Sequence, residues 1–327
     1  MFAVKSEYDK TYGSVLRIFP EHIRIPLELL PGNLWKHVNE IRLRAAAPIM
    51  VCIQGRYRYL HEFTDKACGP GNTVLQKDLR NVLEMATEHS VYTYQEDIKK
   101  GFITVKGGIR IGICGRVHMK NGEIVNIHEI SSLNIRISRE YPGCAVPLMK
   151  YIVDDNGNIA NTLIVSPPMC GKTTILRDIC RLLSDGYTPG PIPDGVNVGL
   201  VDERSEIASC LNGVPQKYVG KKTDILDDCP KVLGMNMIIR CMSPAVVITD
   251  EMGSEEDEQA VMNVLNAGVK IIASSHGYSM EDMHIKPGIE KLMKRKVFSR
   301  YIVLCNRNGP GTLKEVFDHT GFNRIYG

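Results

Sequence analysis

Between residues 40 and 60 the chain alternates apolar and polar positions in short runs. Stretches 40–44 and 49–53 read as strands, Gly55 turns the chain, and Tyr57 and Tyr59 alternate with Arg56 and Arg58 in a third strand with one wet face. A helical turn at 34–37 precedes them, and 66–73 reads as loop. The period then lengthens, and Leu79, Val82, Leu83, Met85 and Ala86 predict a helix over 75–94. It shortens again in strands at 102–105, 109–118, 124–127 and 133–137, with turns at Gly107-Gly108 and Asn121-Gly122. Strands gathered around so little helix predict a small α+β domain.

The second half has another rhythm. Largely apolar runs at 163–165, 198–201, 245–249 and 269–273 alternate with stretches of helical spacing. Such runs mark strands buried on both faces, hence a parallel sheet covered by helices, in which ligands sit at the carboxyl ends of the strands. Each run ends in polar residues suited to that place: Ser166, then Asp202-Glu203-Arg204, then Asp250-Glu251, then Ser274-Ser275-His276. Stretch 185–197, rich in Pro and Gly, reads as an exposed loop. Pro142, Gly143 and Pro147 break the composition between the halves, which places the domains at 1–145 and 146–327.

Where the first run stops, Ser166-Pro167-Pro168-Met169-Cys170-Gly171-Lys172-Thr173-Thr174 leads straight into a helix marked by Ile175, Leu176, Ile179, Leu182 and Leu183. Strand, loop, helix is the setting of a phosphate-binding loop, whose inward N–H groups and helix N-terminus gather partial positive charge in one concavity. On this reading residues 166–174 cradle a nucleotide, Lys172 reaches the β- and γ-phosphates, Thr173 offers its hydroxyl to Mg2+, and Thr174 donates to the α-phosphate. Two positions depart from the usual glycines. Ser166 makes the opening turn if its φ stays negative, whereas Met169 is comfortable only outside the left-handed region. Cys170 lies at a helix N-terminus, where a thiol pKa can fall and oxidation would block nucleotide.

Asp250-Glu251 follows Lys172 by 78 residues and has what Mg-nucleotide hydrolysis asks for: an aspartate near the metal and a glutamate to polarise the attacking water. Asp202-Glu203 is a second acidic pair of the same kind, and Glu203 competes with Glu251 for the role of base. His276 either senses the γ-phosphate or packs as an ordinary strand-end histidine, and Arg240 faces either phosphate or an acid. Arg110 and Arg116 flank a Gly-rich strand at 111–115. They either face solvent or reach a nucleotide held by a neighbouring subunit, where an arginine stabilises transition-state charge in trans.

Composition narrows the class. With 327 residues and 43% hydrophobic content the chain can bury two cores. It has no run of 18 apolar residues and no apolar stretch at its start, so a cytosolic location is expected. Ten scattered cysteines, without Cys-x-x-Cys or nearby His spacing, read as free thiols. Net charge is +3, with 20 basic and 15 acidic residues up to position 145 and 20 against 22 beyond it. So mild an imbalance, with a single tryptophan, argues against a nucleic-acid partner.

Residues 239–251, followed by Glu256-Asp257, Ala267-Gly268 and Ser274-Ser275-His276, resemble the Walker B and histidine-box segments of secretion-type ATPases, the motors of type II and type IV secretion and type IV pili. Residues 107–116, 201–207 and 222–231 are similar more specifically to the stage III sporulation protein AA family, mother-cell ATPases of endospore-forming bacteria, and the likeness runs from about residue 38 to the C-terminus. The resemblance implies a RecA-like ATPase domain preceded by the smaller α+β domain, with ATP and Mg2+ as cofactors. It implies nucleotide contacts at Gly171, Lys172, Thr173 and Thr174, an acidic box at Asp202, Glu203 and Glu206, Walker B at Asp250 and Glu251, and the histidine box at His276. It further implies a homo-hexameric ring and a polytopic inner-membrane platform protein as partner. The expected function is an ATP-hydrolysing motor subunit of a secretion-like apparatus on the mother-cell side of the membrane around the forespore. A nucleotide-gated structural ring with little turnover and a helicase-like motor are the alternatives.

Overall fold

The computed structural model describes residues 12–64, 73–188 and 190–327. The chain divides into two units, one ending at Arg139 and the other spanning Glu140–Gly327. The division comes ahead of residue 145 because the amides of Gly143 and Ala145 donate to the Asp178 carboxylate at 3.1 and 2.8 Å, which ties them to the second unit.

In the first unit, β1 (Val38–Arg44), β2 (Met50–Ile53), β3 (Arg56–Tyr59), β4 (Phe102–Val105), β5 (Ile109–Lys120) and β6 (Glu123–Arg136) form one antiparallel sheet in the order β3-β2-β1-β6-β5-β4. Alternation decides which face is dry. Ile41, Leu43, Ile111, Ile113, Leu133 and Ile135 share a core with Ile23 and Leu27 of α1 (Glu21–Glu28) and with Leu79, Val82 and Leu83 of α2 (Gln76–Ala86). Several details differ from the sequence pattern. The helical turn lies at Gly32–Trp35. Helix α2 stops early because Glu88 and His89 take left-handed φ values of 50° and 62°, and a turn at Val91–Tyr94 followed by α3 (Gln95–Lys99) carries the chain on. Stretches 124–127 and 133–136 belong to the single long strand β6, which ends one residue short of 137, and all four residues of the edge strand β3 are exposed. The loop expected at 66–73 lies outside the described residues except for its last position.

The second unit is built on β7 (Thr162–Ser166), β8 (Val198–Asp202), a small hairpin of β9 (Cys210–Leu211) and β10 (Val214–Pro215), β11 (Thr223–Asp227), β12 (Val246–Thr249), β13 (Lys270–His276), β14 (Arg300–Cys305), β15 (Thr312–Phe317) and β16 (Arg324–Tyr326). Its eight-stranded sheet has the order β11-β8-β12-β13-β7-β14-β15-β16. The strands from β11 to β14 are parallel, as buried apolar runs predict, but β15 and β16 are antiparallel and make the sheet mixed. A loop of a few residues joins β14 to β15, too short for the crossover that parallel neighbours need. Successive residues of the central strands enter opposite cores. Ile164, Leu200, Ile248 and Ile272 pack with α4 (Lys172–Asp185), whereas Leu163, Val165, Val201, Val247 and Ile271 pack with α5 (Lys231–Cys241), α6 (Glu255–Asn266) and α7 (Pro287–Lys294). Strand β13 separates β7 from β12, so the ends of three adjacent parallel strands converge on one edge.

Candidate active site

Strand β7 ends in Ser166, which is fully buried, stays outside the left-handed region and lies in register with His276 of β13. Its carbonyl accepts the Gly277 amide at 3.1 Å, pinning the start of the loop to the neighbouring strand. The loop then turns at Met169, with φ of 60° and a side chain left in solvent, and at Gly171, with φ of 82°. Met169 therefore occupies the conformation that suits glycine. Gly171 is needed on a second count, since a Cβ there would lie 2.9 Å from the nitrogen of Gly311. The same Gly311 amide donates to the Cys170 carbonyl at 2.7 Å, so the β14–β15 connection braces the loop. Cys170 is buried, and burial pushes its thiol up, opposite to what a helix N-terminus alone predicts. Helix α4 begins at Lys172, with Thr173 and Thr174 partly buried in its first turn.

The Lys172 side chain is almost fully buried and meets residues from two other strand ends. Its Nζ is 3.2 Å from His276 Nε2 and 3.6 Å from Glu251 Oε1. His276 Nε2 in turn is 3.0 Å from Glu251 Oε1, and Nη1 of Arg204 is 2.6 Å from Glu251 Oε2. Burial lowers the Lys172 pKa against the opposing pull of Glu251 and Asp250. For Glu251 burial acts upward, but Lys172, His276 and Arg204 together bring the carboxyl below its ordinary value. The Glu251 backbone is left-handed, with φ of 50°, and its carbonyl accepts from Lys231 Nζ at 2.9 Å. Asp250 is a contrasting carboxylate. It is buried, its Oδ2 has no hydrogen-bond partner, and burial with the charges of Asp202 and Glu251 pushes its pKa up to about 6.

The other acids make local contacts. Asp202 accepts the amides of Glu206, Ile207 and Ala208 at 2.8–2.9 Å and so closes the turn after β8. The carbonyl of Glu206 accepts from Arg177 at 2.6 Å. Glu203 accepts from the Lys231 amide at 3.2 Å and lies 3.0 Å from its ammonium, at the N-terminus of α5. Of the two candidate bases it is thus Glu251 that meets Lys172 and His276. Arg240 is exposed in the last turn of α5.

Arg110 and Arg116 both lie on β5 in the first unit. Arg110 stacks 3.7 Å above the Phe102 ring, and Arg116, largely in solvent, is 3.6 Å from Glu129. Gly115 serves the hairpin itself, because a Cβ there would lie 2.6 Å from the His128 carbonyl oxygen. Sequence reasoning gave no role to three cations at the site: Arg204, Lys231, and Lys286, whose Nζ donates to Ser275 Oγ at 2.8 Å. Arg204 has a signal, its place directly after the strand-end acids. Lys231 closes the stretch 222–231 and, like Lys286, stands at a helix start.

The mixed α/β fold is similar to that of secretion-system and pilus ATPases. The Yersinia pseudotuberculosis ATPase DotB aligns with a TM-score of 0.58 at 13% identity, covering 92% of this chain and 80% of its own. The pilus retraction motor PilT, solved with bound ADP, aligns at 0.53 and 15% identity, covering 86% and 76%. At finer grain, the chain belongs to the family Sporulation stage III, protein AA, whose model matches residues 12–324. It is 39% identical over 309 residues to Stage III sporulation protein AA of Bacillus subtilis (strain 168), spanning 94% of this chain and 96% of that one.

Proposed function

We propose that this sporulation protein is an ATP-hydrolysing motor subunit with a RecA-like second unit. It works as a homo-hexameric ring on the mother-cell side of the forespore membrane and is held there by a polytopic platform protein. The observation that carries the reading is the convergence of Lys172, Glu251 and His276 from three strands within 3.0–3.6 Å of one another. A phosphate-loop lysine, a carboxylate kept ionised and a histidine at one strand edge is a set that packing alone does not require.

In this account the loop amides and the N-terminus of α4 bind the phosphates, and Lys172 turns from Glu251 to the phosphate oxygens. That exchange frees the side of Glu251 Oε1 that faced Lys172 to orient the attacking water and accept its proton, while His276 stays beside the carboxylate. Asp250 and Thr173 are the residues that would hold Mg2+. The fit rests on Asp250, whose buried, unpartnered Oδ2 sits among like charges that a divalent cation would neutralise. Held there by Asp250 and Thr173, Mg2+ would supply positive charge to offset the negative charge that grows on the transferring phosphoryl group. Lys172→Ala tests the assignment: losing one preorganised charge should weaken transition-state stabilisation by about 3–4 kcal/mol. Equilibrium dialysis and phosphate release that match the unaltered protein would remove the site.

A further inference from the structure

Glu251 is held at both ends, directly by Arg204 and through Lys231 by Glu203, and Glu203 and Arg204 are consecutive residues of the turn after β8. At the side-chain end, Arg204 takes Oε2 at 2.6 Å and leaves Oε1 facing Lys172 and His276. At the backbone end, Lys231 takes the carbonyl, and Lys231 is itself fixed by Glu203, the residue before Arg204. The turn that carries both is made rigid by the three amides that Asp202 accepts. Glu251 keeps a left-handed backbone, a strained conformation for a residue with a side chain, and these contacts hold it there. The Arg204 guanidinium is about half exposed, and exposed ion pairs stabilise a fold little. Its contribution is therefore to geometry.

We propose that Arg204 is a positioning residue that clamps Oε2 of Glu251 and so aims Oε1 at the attacking water once Lys172 has moved to the phosphates. The proposal rests on the reading of Glu251 as the base. Lys172 cannot do this job during turnover, since the nucleotide claims it. Arg204 comes from the opposite side of the carboxylate and remains.

The test measures ATP affinity and turnover for the full chain, Arg204→Gln, Arg204→Lys, Glu251→Gln and the double variant Arg204→Gln/Glu251→Gln. Arg204→Gln should lower kcat at least tenfold while ATP affinity stays within about threefold, as expected of a group acting only through the base. Arg204→Lys, which keeps the charge but loses the fork, should recover part of the loss. In the Glu251→Gln background Arg204→Gln should cost nothing further, whereas a general structural role would add to the loss. Equal losses of affinity and turnover, additive losses in the double variant, or an unchanged kcat would each overturn the proposal. An unaltered protein that binds ATP without turning it over would remove the reading of Glu251 and this role with it. Normal turnover with a silent Arg204→Gln removes the role of Arg204 alone.

Discussion

Asp250 and Glu251 are consecutive carboxylates in opposite surroundings. Glu251 is surrounded by Lys172, Arg204 and His276, whereas Asp250 is buried beside Asp202 and Glu251. The folded pKa of Asp250, about 6, lies above its unfolded value, so its contribution to stability is complete below the unfolded pKa and is lost as pH rises through 6. Without nucleotide and metal, Asp250→Asn should stabilise the protein at pH 7.5 by about 2–3 kcal/mol, and the gain should vanish toward pH 4. Urea unfolding across that range checks it, and a difference independent of pH would contradict the burial of an ionised group. The positions of these residues at strand ends were legible in the sequence from the apolar runs that precede them. Their electrostatics were not. Cys170 has the helix-terminal place that lowers a thiol pKa, but burial by the Gly311 loop reverses the sign. The choice between Glu203 and Glu251 likewise depends on Lys231, which no motif places near either acid.

Among elements, α5 links packing to the site. Gly234 lets it approach β8 closely, since a Cβ there would lie 2.5 Å from Val201, and its first residue, Lys231, bridges Glu203 and the Glu251 carbonyl. Gly234→Ala would ordinarily favour a helix by about 1 kcal/mol. Here the overpacking should outweigh that and destabilise by about 1–3 kcal/mol. Displacing Lys231 should also lower ATP turnover, and a variant both more stable and equally active would refute the coupling. The sequence did not reveal α5 because Leu233 and Met237 are exposed opposite the buried Met235 and Ile238, which blurs any single apolar stripe. Central strands were clear for the opposite reason, as β7, β8 and β12 are buried along their whole length. The antiparallel β15 and β16 were hidden, because β15 is unevenly buried and the three residues of β16 are all exposed, so neither has an unbroken apolar run or a clean alternation.

For the whole molecule, the division into two units was visible as a change in rhythm, though its position depended on the Asp178 contacts to Gly143 and Ala145. Among the described residues no helix is long and apolar enough to cross a membrane, and the proposed membrane role is assigned to the platform partner. If the ring places Arg116 at a neighbour's nucleotide, Arg116→Ala should reduce turnover far more than binding. Mixing that variant with Lys172→Ala subunits should then restore part of the activity, because each chain supplies what the other lacks. Hexamers confirmed by sedimentation without any rescue would exclude a trans contribution from Arg116. The central claim, that one strand edge binds and hydrolyses ATP with Glu251 as base, is tested most directly by comparing ATP turnover and retention in the unaltered protein and Glu251→Gln. The account predicts hydrolysis by the former, and by the latter undiminished binding with the ATP retained uncleaved. Hydrolysis by Glu251→Gln at the unaltered rate, or no ATP bound by either, would contradict it.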